Sequence, residues 1–215
     1  MSSVDNEGPE RQPGRMGHPS ACVVDVPVVE TERLILRGHR LDDFASLAAM
    51  WADPDVTRFI ARAPATAEEA WARLLRYAGH WAMMGYGYWA VEEKAAGRYI
   101  ADVGFADYRR AIVPALDAPE IGWVLAASVA GRGYATEAVR AALAWSDRNL
   151  AARTTCIIAP DHAASLNVAR KVGYRPEGTR FYHGTPLVVL ARTAIPGRAL
   201  QGTTSTSTVM WEVPL

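Results

Sequence analysis

The sequence has little of what would announce several common chemistries. Cysteine occurs only at Cys22 and Cys156 in 215 residues. The two are not spaced as a C-x-x-C pair, and His and Cys are not clustered at zinc-ligand spacing, so no metal is expected. Cys156 lies in an apolar run and reads as a reduced core thiol. No apolar stretch approaches the length of a membrane helix. Met1–Ser20 is polar, and Asp25 interrupts the short apolar run after it, so no signal peptide is read and the cytoplasm is the expected location. There is also no excess charge, with 23 basic residues against 23 acidic ones. That balance argues against a broad phosphate-binding surface, and nucleic acid is not an expected partner. A neutral total is still compatible with a local basic patch.

Half of the residues are hydrophobic and 21% are charged, the composition of one globular domain large enough to enclose a core. Residues 1–27, polar and rich in Gly and Pro at first, read as a flexible tail. Residues 28–194 read as the domain. Residues 195–215, with the run Thr203–Thr208 and an apolar end, read as an extension able to pack on a neighbouring subunit.

The domain alternates between strand and helix patterns. Strands are expected at 31–37, 85–92, 98–108, 121–126 and 154–158, with a hairpin of 180–182 and 187–192 around His183-Gly184. Helices are expected at 41–52, stopped by Asp53-Pro54, and after Thr66. There Glu69 stands at capping-box spacing, and the helix runs through Trp71, Leu74, Leu75 and Ala78. Two more are expected at 134–149 and 162–172, the last ended by Gly173. The fold class is mixed α/β in a single domain.

Glu120–Leu143 (EIGWVLAASVAGRGYATEAVRAAL) carries the most chemistry. A strand enters a loop holding Gly131 and Gly133, and the loop opens a helix. Unpaired amides and a partial positive charge at a helix N-terminus attract anions, and glycines admit close approach. A P-loop would need Lys and Ser/Thr where Tyr134 and Ala135 stand, and a dinucleotide fingerprint would need Gly or Ala at Thr136. The competing reading is a strand-to-helix turn that binds nothing.

Four segments in order, TERLILR, EIGWVL, GRGYATEAV and ASLNVARKVGY, resemble the GNAT acetyltransferase superfamily. More narrowly they resemble its Rim-type branch of ribosomal-protein N-terminal acetyltransferases, over residues 31–192. The resemblance implies a central splayed mixed sheet flanked by helices on both faces, with acetyl-CoA as co-substrate. Pantetheine is then expected along Trp123, Val124 and Leu125, and the pyrophosphate on the amides around Ala130, Gly131, Arg132, Gly133, Tyr134, Ala135 and Thr136. The family motif Arg/Gln-x-x-Gly-x-Gly/Ala is matched at Gly133 and Ala135 but has Ala130 in first place, so weaker anion binding is expected.

Acetyl transfer to an amine needs a base for the amine proton and benefits from an acid at the departing thiolate. Glu120 stands where many members of the superfamily carry a carboxylate base; the alternative is a solvated strand-end charge. His162, Ser165 and Ala169 share one helix face, which in the family borders the cofactor thiol. The tyrosine acid common in the family is replaced by Ala169. Ser165 matches the serine proposed as acid in the Rim-type branch; its alternative is hydrogen bonding within the helix. Asn167 and Tyr174 read as structural; in relatives the hairpin tip near His183 and Tyr182 flanks the acceptor, where His183 is either a base or a solvated loop histidine. Trp51, Phe59, Trp81 and Trp89 could line the acceptor pocket, with core packing the alternative. Glu137 is expected at its own helix N-terminus. The acceptor is a primary amine, either a protein N-terminus or a small molecule, and a homodimer is expected by analogy. The rival function is a non-catalytic acyl-CoA-binding sensor with the same fold.

Overall fold

The computed structural model describes residues 24–60 and 63–194. Most of the expected tail and all of the extension 195–215 lie outside the described residues. Eight strands follow in chain order: β1 (Val29–Glu30), β2 (Leu34–Arg37), β3 (Tyr88–Glu93), β4 (Arg98–Ala106), β5 (Glu120–Leu125), β6 (Arg153–Ile158), β7 (Arg175–Tyr182) and β8 (Thr185–Thr193). They form one sheet in the order β1-β2-β3-β4-β5-β6-β8-β7. Every neighbouring pair is antiparallel except β5 and β6. The helices are α1 (Phe44–Ala52), α2 (Pro54–Thr57), α3 (Ala67–Met84), α4 (Tyr134–Asn149) and α5 (Ala163–Lys171).

Strand alternation divides the core into two layers, as the mixed α/β expectation requires. Trp89, Val91, Val103, Phe105 and Ile121 pack with α4 residues such as Val139 and Leu143. Tyr88, Ala106 and Val124 pack on the other face with Leu47 and Trp51 of α1 and Leu74 and Tyr77 of α3. Val24 and Val26, within the segment read as a tail, pack against the first layer. The Trp89 indole N–H there donates to the Pro27 carbonyl at 2.8 Å.

Local signals set several boundaries. The Glu69 amide donates to Thr66 Oγ1 at 3.2 Å and the Thr66 amide to Glu69 Oε2 at 2.8 Å, the reciprocal box that starts α3. After α5, the Gly173 amide bonds the Arg170 carbonyl and the Tyr174 amide bonds the Ala169 carbonyl, with Gly173 at φ +98°. This is a Schellman end, which needs glycine at that position. His183 and Gly184 both take positive φ in the two-residue β7–β8 turn.

The helix expected after Thr66 is α3. Its buried residues are Ala70, Leu74, Tyr77 and Trp81, whereas Trp71 and Leu75 are exposed. Trp81, Trp89 and Trp145 meet edge to face at centroid distances of 4.9–5.6 Å. That geometry adds about 0.5–1.5 kcal/mol per pair beyond burial. Trp81 and Trp89 therefore belong to the core, leaving Trp51 and Phe59 for a pocket.

Candidate active site

The one parallel junction of the sheet is split. β5 and β6 pair only at Glu120 and Thr155, where the Thr155 amide also bonds the Pro119 carbonyl at 2.9 Å. Beyond that point β5 stays with β4 as far as Leu125, and β6 stays with β8 as far as Ile158. The β6-facing backbone of Trp123, Val124 and Leu125 has no strand partner, so an extended ligand can add there as a strand does. Gly122 keeps this stretch thin: a Cβ there would fall 2.0 Å from the Tyr88 hydroxyl.

The turn after β5 is built to leave amides open. Gly131 and Gly133 take φ +76° and +81°, and Gly133 is the N-cap of α4 with no side-chain cap bond. The first amides of α4, at Tyr134, Ala135 and Thr136, thus have no side-chain cap among the described residues and are open to an acceptor. The Tyr134 side chain turns inward, its hydroxyl donating to Glu93 Oε1 at 2.6 Å, so only its backbone can serve an anion. Arg132 is exposed, and Ala130 offers no polar side chain.

Glu137 departs from the sequence expectation. Its Oε1 accepts from Thr31 Oγ1 at 2.6 Å and from the Arg33 amide at 3.0 Å, and its Oε2 accepts from Arg33 Nε at 2.7 Å. These donors draw it across to the TER segment and away from its own helix end. Burial alone would raise its carboxyl pKa, but the bonds from Thr31 and Arg33 outweigh burial and hold it below the usual range. Arg33 also donates to the Arg132 carbonyl at 3.1 Å and covers the Tyr134 ring at 4.4 Å. A guanidinium is thereby fixed beside the turn in which Ala130 lacks one.

A cavity of about 490 Å³ opens beside the split, within the usual range for small-ligand sites. It gathers Glu120, Trp123, Val124, His162 and Ser165. Leu125 and residues 130–136 lie outside its lining, so the anticipated site divides into this cavity and the separate amide turn.

Glu120 is buried, not solvated. Arg110 donates to it twice, Nε to Oε2 at 2.6 Å and Nη2 to Oε1 at 2.9 Å. Burial would lower the Arg110 pKa, and the paired carboxylate more than reverses that. Each carboxylate oxygen keeps a second lone pair for another donor. Ser165 Oγ lies 3.3 Å from His162 Nε2, and the imidazole stacks on Phe59 at 4.3 Å. Burial, helped by Arg58 and opposed by Asp161, lowers the His162 pKa below its ordinary 6.5, which favours the neutral ring at pH 7. Asn167 bonds Arg170 on the surface, and Tyr174 is buried with its hydroxyl on Thr154; neither lines the cavity. Cys156 is a free, buried thiol bordering the cavity, its pKa raised by burial. Tyr182 lines the cavity, and His183 occupies the turn beyond it.

The far wall comes from residues that the sequence pattern did not single out. Arg73, Arg76 and Tyr77 project from α3, and Tyr108 and Arg110 from the loop after β4. The Arg73 guanidinium lies 3.4 Å over the Trp51 ring. The Trp51 indole N–H in turn donates to Asp102 Oδ2 at 3.0 Å. Asp102 is wholly buried and also binds His39 at 2.7 Å and the Tyr99 hydroxyl at 2.5 Å. The spacing Arg73-Arg76-Tyr77-His80 was a readable signal for one helical face.

A split parallel junction with a cavity beside it, followed by a helix turn without a side-chain cap, is an arrangement able to take an extended, anionic ligand. The profile of the Acetyltransferase (GNAT) domain matches residues 33–175, and the chain belongs to the GNAT acetyltransferase family. It is 25% identical over 170 residues to the uncharacterized N-acetyltransferase YoaA of Bacillus subtilis, covering 74% of this chain and 92% of that protein. A Bordetella pertussis structure assigned to the GnaT acetyltransferases is 29% identical with TM-score 0.68, over 77% of this chain and 99% of that one. Rim-type enzymes are among its structural neighbours. RimL, a ribosomal L7/L12 alpha-N-protein acetyltransferase solved with coenzyme A, has TM-score 0.64 at 17% identity, over 78% of this chain and 98% of that one.

Proposed function

We propose that the protein moves an acetyl group from acetyl-CoA to a primary amine by direct attack. The observation that carries this reading is the single paired position between β5 and β6, with open amides at the end of the split. The residues present fit the co-substrate: the free β5 edge at Trp123–Leu125 suits pantetheine, and the amides around Gly131–Thr136 suit a pyrophosphate. Arg33, though paired with Glu137, places guanidinium N–H groups near the turn where Ala130 has none. Acetyl-CoA contributes an activated thioester; everything else falls to the side chains of this chain.

In the transfer the amine nitrogen bonds the carbonyl carbon and the carbon–sulfur bond breaks. The sulfur departs with the electron pair and takes up a proton. Glu120 accepts the amine proton, directly or through a water, using the lone pairs that Arg110 leaves unoccupied. Arg110 fixes the orientation of that carboxylate. Ser165, held by neutral His162, donates its proton to the departing sulfur and regains one through water from Glu120, which restores both groups. CoA-thiol release with an amine panel, preceded by calorimetric titration of acetyl-CoA, tests the reading. Binding followed by acceptor-dependent thiol release is the expected result. Binding without release from any amine favours a sensor instead, and absence of binding overturns the proposal.

A further inference from the structure

The charges that line the cavity are unequal. Among the described residues, Arg73, Arg76 and Arg110 supply three guanidiniums to the lining and Glu120 its one carboxylate. Glu120 is already bound at both oxygens by Arg110. Among the described residues, neither Arg73 nor Arg76 forms an ion pair with a carboxylate, although Arg33, Arg37, Arg98, Arg153 and Arg192 all do. Arg73 Nε is moreover a buried donor with no acceptor. A buried unsatisfied donor costs stability, and a ligand oxygen would relieve that cost.

Both side chains lie over aromatic rings. Arg73 lies on the Trp51 ring, which the Asp102 cluster anchors. Arg76 and Arg110 flank Tyr108, with guanidinium carbons 5.7 and 4.6 Å from the ring centroid. Stacking on aromatic faces leaves the in-plane N–H groups of a guanidinium free to bind an oxyanion in bidentate fashion. A protonated polyamine would meet two guanidiniums that no carboxylate pairs among the described residues.

We infer that the acceptor is an anionic amine, one whose primary amino group lies a few bonds from a carboxylate or similar oxyanion. The oxyanion binds Arg73 and Arg76 while the amine faces Glu120. This rests on the transferase reading above and names the substrate class of the same site. A free acidic amino acid and an acidic protein N-terminus share this chemistry.

The test compares acceptors that differ in charge but hardly in shape. L-glutamate is set against L-glutaminamide, the peptide amide Asp-Ala-Ala against Asn-Ala-Ala, and spermidine serves as the cationic arm, each assayed by thiol release at saturating acetyl-CoA. At least one anionic member is expected to exceed its neutral partner about tenfold or more in kcat/KM, the scale of one charge-assisted contact. Which pair responds separates the amino acid from the N-terminus. Arg73→Gln with Arg76→Gln is expected to abolish the preference through the acceptor KM. Arg73→Lys with Arg76→Lys should retain most of it, and the KM for acetyl-CoA should not move. Equal use of the neutral amines or spermidine, no release from either anionic amine, or a change confined to the acetyl-CoA KM overturns the inference. Failure of acetyl-CoA to bind the wild-type protein overturns the underlying transferase reading instead.

Discussion

Replacing Glu120 by Gln separates the structural and chemical roles of one side chain. Glu120 is 6% exposed, and both of its oxygens accept from Arg110. Losing one partner of a buried pair costs about 3–5 kcal/mol, because the other charge stays buried without compensation. Gln keeps one acceptor oxygen, and the Arg110 side chain is 21% exposed, so a loss of about 2 kcal/mol is expected. With a urea m-value of about 2 kcal/mol/M, the unfolding midpoint should fall by about 1 M. Glu120→Leu combined with Arg110→Leu should be more stable than either single change, since it removes both charges. A well-folded Glu120→Gln protein should lose about 100-fold or more in kcat, the contribution of a positioned base, with acetyl-CoA binding intact. A midpoint shift below about 0.2 M would refute the buried pair. A kcat within threefold of wild type would remove Glu120 from the chemistry while leaving the fold argument standing.

Three further outcomes follow from the same geometry. Asp102→Ala leaves the His39, Trp51 and Tyr99 groups without their shared acceptor; a loss of about 3 kcal/mol in urea unfolding is expected, and a loss under 1 kcal/mol would show that the cluster is not anchored there. Gly133→Val places a β-branched residue at φ +81°, so acetyl-CoA affinity measured by calorimetry should fall while the stacked core around Trp145 is untouched; unchanged affinity would move the anion site off this turn. His162 has its folded-state pKa below 6.5, so between the two values the unfolded chain holds more protons than the folded one. Its contribution to stability is therefore complete above pH 6.5 and declines as the pH falls through the lowered value, and His162→Gln should flatten that acid slope in unfolding measured from pH 7 to 5.

What the sequence revealed is what short-range physics determines. The Thr66–Glu69 box, the glycine end at Gly173, the His183-Gly184 turn and the opening of α4 after Gly133 each depend on residues within a few positions of one another. The even burial of β3 and β4 likewise follows from their composition. Long-range polar pairing was not readable. Alternation in β4 gives no reason to place a carboxylate such as Asp102 wholly inside, and only three partners from β4, α1 and residue 39 make it stable there. Arg110 sits in an irregular loop, so no periodicity points it at Glu120. Glu137 looked like a helix-end charge because the donors that capture it lie more than a hundred positions earlier in the chain.

These pairings divide the work of the site between two layers. The open β5 edge and the amide turn belong to the strands and α4, and Arg33 and Glu137 lock that turn to β2. The arginine wall belongs to α3, which packs on the sheet through Leu74 and Tyr77 and, by way of Trp51 of α1, leans on Asp102. On the proposed function, donor binding and acceptor selection therefore rest on different elements joined at Glu120 and Arg110. Exposed α3 positions can change the charge offered to an acceptor without disturbing the amides that hold the co-substrate. A relative with the same turn and a differently charged α3 should keep its acetyl donor and take a different amine.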